Sequence, residues 1–305
     1  DRYDPSEVPK PIRRESLEKE GQQHPLLKML HELIPRSFFF NDKLIEPAAL
    51  MSDLDVLQAR ATYYGLMSQV DHHLGRVFNY LKKSGQYEST LIIFTSDHGE
   101  QLGDHYSFGK YGYFDQSYSI PLIIRNPEIT KQTSDKSTVI GTQVELFTET
   151  IDVMPTILDW LETEIPEECD GRSLLPFLQG NIPDNWRTEV HWEYDFREIG
   201  SFQPIIEQQF GLSPDQCSLT VLRDEHYKFV HMTALKPLLF DLQKDPEEFL
   251  NRADDPGYQD IMLKYAQKML SWQMLHRDRT LVNMNMESGN LVNWKGPRIL
   301  NKVGE

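Results

Sequence analysis

The 305-residue chain predicts an α/β layer followed by a smaller α+β subdomain. Three observations carry that expectation. "TLIIFTS" and "SIPLIIR" hold contiguous apolar runs, as strands buried in a sheet do. A long segment before them repeats apolar residues at helical spacing. After about residue 200 the texture changes to short strands followed by one helix.

Residues 1–50 are rich in proline and charge and read as an extended connecting segment, with a short helix near Leu26–Ile34. The layer is expected over 51–190. Its long helix begins at Asp53, capped by Ser52 or Asp53, with Leu57, Ala61, Leu66, Val70, Leu74, Val77 and Leu81 on one apolar face. Lys82 and Lys83 suit its negative end and Gly85 its stop. Strands follow at Leu91–Phe94 and in "SIPLIIR", then a capped helix at Asp152–Glu162 with Pro155 in its first turn. The subdomain is expected over 191–280. "SLTVLRDEHYKFVHM" reads as a hairpin turning at Asp224–His226, and "PLLFDLQ" as a further strand. The closing helix places Ile261, Met262, Tyr265, Met269 and Trp272 on one side. Residues 281–305 show no clear period and read as a tail or arm that packs on a neighbour.

The formal charge of −16 argues against nucleic acid as a partner, since such a surface needs a basic footprint. No stretch approaches the roughly 20 apolar residues of a membrane span, so no membrane partner is expected. Two cysteines, Cys169 and Cys217, are too few for a disulfide framework, and a cytoplasmic location is the expectation.

Between the two apolar runs lie Asp97, His98, Glu100, Asp104, His105, Lys110 and Asp115. Ligands of open α/β sheets sit beyond the carboxyl ends of strands, where Asp97 and His98 fall. A carboxylate beside an imidazole can be half of a divalent metal site. Gly99 allows a sharp bend after them. Asp97 as a turn cap with His98 on a surface loop is the plainer reading of the same residues. Gly109 and Gly112 flank Lys110, so backbone can approach a ligand there; a solvated or salt-bridged lysine is the plainer reading.

"FTSDHGEQLGDHYSFGKYG" resembles the metal-and-anion motif of the sulfatase family, within the alkaline phosphatase superfamily. Its DHGE, GDH and GK order is similar to phosphonate monoester hydrolases. "YSIPLIIRNP", "TETIDVMPTILDWLETEIPEECDGRSLLPFLQG" and "LFDLQKDPEEFLNRADDP" resemble later family segments in the same order. The resemblance implies the C-terminal part of an alkaline-phosphatase-like α/β/α sheet. It implies that Asp97 and His98 are ligands of one divalent ion, manganese, calcium or magnesium. It also implies that Lys110 is a catalytic and substrate-binding residue on the oxygens of a sulfate or phosphonate ester. No role passes to Glu100, Asp104 or His105, which are expected to be solvated or to support their neighbours.

The family nucleophile is a formylglycine made in a C/S-x-P-x-R motif, and no such run occurs here. The expectation is therefore the C-terminal portion of a metal-dependent hydrolase of small anionic esters. Its nucleophile and remaining ligands lie upstream, and this chain alone is inactive. Exposed apolar surface then makes a homo-oligomer the expected assembly. A two-metal phosphatase, a phosphoglycerate mutase relative, or a non-catalytic structural or oligomerisation remnant stand as alternatives.

Overall fold

The computed structural model describes residues 2–40, 45–127, 140–166, 168–197, 203–276, 284–288 and 290–293. The chain divides into two compact units, 1–134 with 191–262 and 135–190 with 263–305.

The first unit opens with α1 (Leu17–Gly21) and α2 (Pro25–Leu33). A single apolar face of α2, Leu26, Leu27, Met29 and Leu30, is buried. His24 caps α2 through a side chain rather than through a hydroxyl. Its Nδ1 accepts from Leu26 N at 3.1 Å, while Nε2–H donates to the Lys236 carbonyl at 3.0 Å. The first bond needs the neutral ring, whereas the second survives protonation; burial outweighs it and pushes the His24 pKa below its ordinary value of 6.5. A depressed histidine binds its proton more readily in the unfolded chain, so its stabilising effect is present above pH 6.5 and lost as pH falls through the folded value. The thermal midpoint should therefore drop between pH 7.5 and 5.5. His24→Asn keeps a capping acceptor without titrating and should make that drop shallower; an equal drop in both proteins would remove His24 from the account.

Helix α3 runs over Asp53–Lys83, and its cap is Ser52, whose Oγ accepts from Asp55 N at 3.2 Å. Only Val56, Arg60 and Ala61 of this helix are buried. Leu66, Val70 and Val77 of the expected apolar face stay more than half exposed. The helical period is thus real, but only the first turns find cover among the described residues.

Strand β1 (Ile92–Thr95) pairs antiparallel with β2 (Leu122–Arg125), Ile93 opposite Ile124. Both strands are half-buried rather than fully covered, and among the described residues each pairs only with the other. Helix α4 (Asp115–Tyr118) lies in the connection between them.

A four-stranded sheet completes the unit in the order β3 (Glu189–Asp195), β4 (Ser218–Asp224), β5 (Tyr227–Met232), β6 (Leu238–Asp241). β4 and β5 form the expected antiparallel hairpin, with Val221 opposite Val230. Residues of β4, β5 and β6 join α2, Tyr113, Phe114 and Phe196 in one apolar cluster. That cluster is what seats the loop before α4 against the sheet.

In the second unit α5 (Val153–Trp160) and α6 (Leu175–Leu178) flank the "DGRSL" loop. Asp152 is fully buried and accepts from Arg172 N at 2.8 Å and from Arg187 Nη2 at 2.7 Å. A side chain on Gly171 would meet the Ile151 carbonyl at 2.0 Å, so the loop needs glycine for close backbone approach. In the first unit α7 spans Gln203–Phe210. Helix α8 (Gln259–His276), most of which belongs to the second unit, buries Tyr265 and Met269 as expected. Residues 284–287 and 290–293, read from sequence as part of an irregular tail, instead pair as an antiparallel hairpin, β7 and β8. Residues 294–305 lie outside the described residues. Among the described residues, no helix is long and apolar enough to cross a membrane.

Candidate active site

The loop begins where β1 ends. Ser96 Oγ donates to the His98 carbonyl at 2.8 Å, and Asp97 Oδ1 accepts from His98 N at 3.0 Å. These bonds turn the chain sharply enough for adjacent side chains to converge, which an extended strand forbids. His98 Nε2 lies 3.5 Å from Asp97 Oδ2. His98 Nδ1 lies 2.7 Å from the Gly99 carbonyl. A carbonyl only accepts, so Nδ1 carries the hydrogen and the Nε2 lone pair faces Asp97.

Asp97 is largely exposed. The positive charge of His98 when protonated, backbone hydrogen bonds and then Lys110 hold its carboxyl below the usual carboxylate range, against slight desolvation. The pair therefore offers an ionised oxygen and an imidazole nitrogen on one side, with the ring tautomer fixed by its outer hydrogen bond. That is the arrangement of a metal-binding histidine. No third His, Cys, Asp or Glu completes a cation site among the described residues.

Gly99 has a different purpose from the bend it was expected to permit. Its N–H donates to the Ser117 carbonyl at 2.7 Å, and an added Cβ would lie 2.1 Å from the Gln116 carbonyl. Glycine is there because the backbone of α4 passes against it.

The remainder of the loop is stitched shut. Gln101 N donates to the Gly109 carbonyl at 3.0 Å, and Gly103 N to the Ser107 carbonyl at 2.7 Å. Leu102, His105 and Tyr106 adopt left-handed backbone, which non-glycine residues hold only when their surroundings impose it. Those surroundings are buried. Arg60 of α3 reaches Asp104 Oδ1 at 3.1 Å and the Leu102 carbonyl at 3.0 Å. His105 stacks on Phe114 with ring centroids 3.6 Å apart and meets Glu20 Oε1 at 3.0 Å. Ile12 is held from both directions, its N–H on Asp104 and its carbonyl on His105 N. Asp104 and His105 are thus anchors of the loop inside the protein, not solvated groups, because Glu20, Arg60 and residue 12 arrive from distant parts of the chain.

Lys110 follows Gly109 and precedes Gly112, both at positive φ, 77° and 93°. It is exposed, and with His98 it lines a cavity of about 370 Å³. That volume lies within the usual range of small-molecule sites. The walls are largely apolar, from Phe39, Tyr111, Tyr194 and Phe196, with Arg197 held by Asp195 at 2.6 Å. The structure thus brings His98 and Lys110 to one cavity and sets Asp97 beside His98. The wall from Tyr194 to Arg197 carried no motif in the sequence; the apolar alternation of "TEVHWEY" was its only signal.

A sulfatase family model matches residues 7–163, just over half of the chain. The chain belongs to the sulfatase family. A second model, the C-terminal region of N-sulphoglucosamine sulphohydrolase, matches residues 103–274. A multifunctional alkaline phosphatase superfamily protein, PehA, of Trinickia caryophylli is 50% identical over 281 residues, covering 92% of this chain and 53% of that relative. An arylsulfatase of Clostridium perfringens is 28% identical, covering 75% of this chain and 42% of that relative. The crystal structure of a phosphonate monoester hydrolase of Agrobacterium radiobacter superposes with a TM-score of 0.87 at 41% identity, covering 95% of this chain and 56% of that one. The fold of this sulfatase-family chain is accordingly alkaline-phosphatase-like. It spans about half the length of the curated relatives it matches.

Proposed function

We propose that this chain is the C-terminal portion of a metal-dependent hydrolase of sulfate, phosphonate or phosphate monoesters. The carrying observation is the convergence of Asp97 and His98 beside a cavity that also exposes Lys110. The donor set fits one divalent ion, with Asp97 Oδ2 and His98 Nε2 as two of its ligands and the Gly99 carbonyl holding the imidazole in the right tautomer. When bound, such an ion polarises the nucleophile and the anionic group. The role of Lys110 is to neutralise charge that grows on the ester oxygens. The apolar walls give room to the leaving alcohol and keep water from it. The nucleophile, a formylglycine in the family, is assigned to a preceding segment, since none of the 305 residues forms the C/S-x-P-x-R run.

The test joins this chain to the preceding half of its own open reading frame. The longer protein should hydrolyse aryl sulfate or aryl phosphonate esters and lose activity on chelation, with manganese, calcium or magnesium restoring it. Asp97→Ala should lower both metal content and turnover, while the 305-residue chain alone should be inactive. Metal content unaffected by Asp97→Ala and His98→Ala would place the ion elsewhere.

A further inference from the structure

Glu100 lies two residues after His98 and lines the same cavity as His98 and Lys110. Its Oε1 accepts from Gly109 N at 2.5 Å, and Gly109 is the residue before Lys110. The reverse half of that junction is backbone, Gln101 N to the Gly109 carbonyl at 3.0 Å. In an antiparallel ladder such a pair would also return Gly109 N to the Gln101 carbonyl. That carbonyl instead accepts from Asp104 N at 2.9 Å, turning the loop inward, and the Glu100 carboxylate takes the donor left over. A carboxylate accepting a backbone N–H makes a shorter, stronger bond than a carbonyl does.

The surroundings of Gly109 are equally close. An added Cβ would lie 3.0 Å from Phe39 Cε1 and 3.1 Å from Tyr111 Cε2, so a side chain at Gly109 would press on both rings. Its positive φ of 77° would add backbone strain to any other residue there. Lys110 itself is exposed on a flexible stem, and its backbone is its only fixed part.

We propose that Glu100 is a positioning residue for the hydrolysis, tying the backbone of the Lys110 segment to the turn that carries Asp97 and His98. This rests on the reading that Lys110 meets the ester oxygens near the ion. One carboxylate then sets the distance between the cation of the side chain and the metal ligands. It acts through Lys110 and touches no reacting atom.

The test has two arms. In the 305-residue chain, hydrogen exchange at the Gly109 amide should rise at least about tenfold in Glu100→Ala, as loss of a charge-assisted bond implies. Glu100→Gln keeps an acceptor and should recover most of the protection. In the full-length enzyme, Glu100→Ala should lower kcat by about 10- to 100-fold, the scale of an ångström-sized misplacement. KM and metal content should change little, and Glu100→Gln should restore most of the rate. In a Lys110→Ala background the further loss on Glu100→Ala should shrink to less than about twofold, since the two act as one unit. Additive losses, or a Glu100→Gln variant as slow as Glu100→Ala, would overturn the proposal by showing that the charge acts on its own. An inactive parent would instead overturn the proposed hydrolysis, and unchanged exchange at Gly109 would overturn the clamp whatever the activity.

Discussion

Lys110→Ala in the full-length enzyme should lower the rate constant of the chemical step by about 10²–10³, the usual cost of removing one donor from a developing oxyanion. Lys110 lines the cavity beside His98 and contributes to holding Asp97 ionised, so its charge is already directed at the place where an anionic group would sit. Charge on the non-bridging oxygens increases as the ester bond breaks. A cation there is therefore worth more in the transition state than in the bound substrate. The loss should fall on kcat more than on KM, and metal content should stay at the parental value, since an ammonium group is not a ligand of the ion. The measurement is single-turnover hydrolysis of an aryl sulfate and an aryl phosphonate by both proteins. Near-parental rates on both would reduce Lys110 to a surface charge.

Much of this site was legible because its information is local. A strand followed by Asp-His-Gly places a carboxylate and an imidazole together through bonds spanning one or two residues, Ser96 to His98 and His98 to Gly99. The same holds for Ser52 as the cap of α3 and for the β4–β5 hairpin. What escaped depends on distant chain segments. His105 looks like a loop histidine until Glu20 and Phe114 enclose it, and Asp104 like a solvated acid until Arg60 reaches it. The far cavity wall at Tyr194–Arg197 arrives only through the placement of β3 beside β4. The apolar period of α3 was correct as geometry but said nothing about which turns are covered. The β7–β8 hairpin went unrecognised although Met284 and Met286 alternate with polar residues before Ser288, a period-two signal obscured by the asparagines around it.

The largest loss of stability should come from Lys228→Met. Lys228 is fully buried on β5, an unusual place for an ammonium group. Its Nζ pairs with Asp115 Oδ1 at 2.6 Å and with Glu248, donates to the Tyr113 carbonyl at 3.2 Å, and lies 5.3 Å from the centre of the Trp192 ring. Burial opposes ionisation of Asp115, yet Lys228 and Arg223 together hold its carboxyl below the usual range. Burial pushes the Glu248 carboxyl up, and Lys228 opposes that rise. Removing the ammonium would strand a buried carboxylate, which typically costs about 3–5 kcal/mol. For a unit of about 200 residues that corresponds to roughly 6–20 °C in thermal midpoint. Replacing Glu248 as well, in Lys228→Met/Glu248→Met, removes the stranded charge and should recover much of the loss, because apolar replacement of a buried pair is often neutral. The consequence reaches the site, since Asp115 begins α4 five residues after Lys110, and the backbone of α4 packs against Gly99, the neighbour of His98. Loosening Asp115 should therefore also lower turnover in the full-length enzyme at temperatures well below the melting transition. Tryptophan fluorescence, to which Trp192 beside Lys228 contributes, follows the thermal transition. A single variant as stable as the parent would mean that Glu248 takes up a proton at little cost and that the ion pair contributes nothing net.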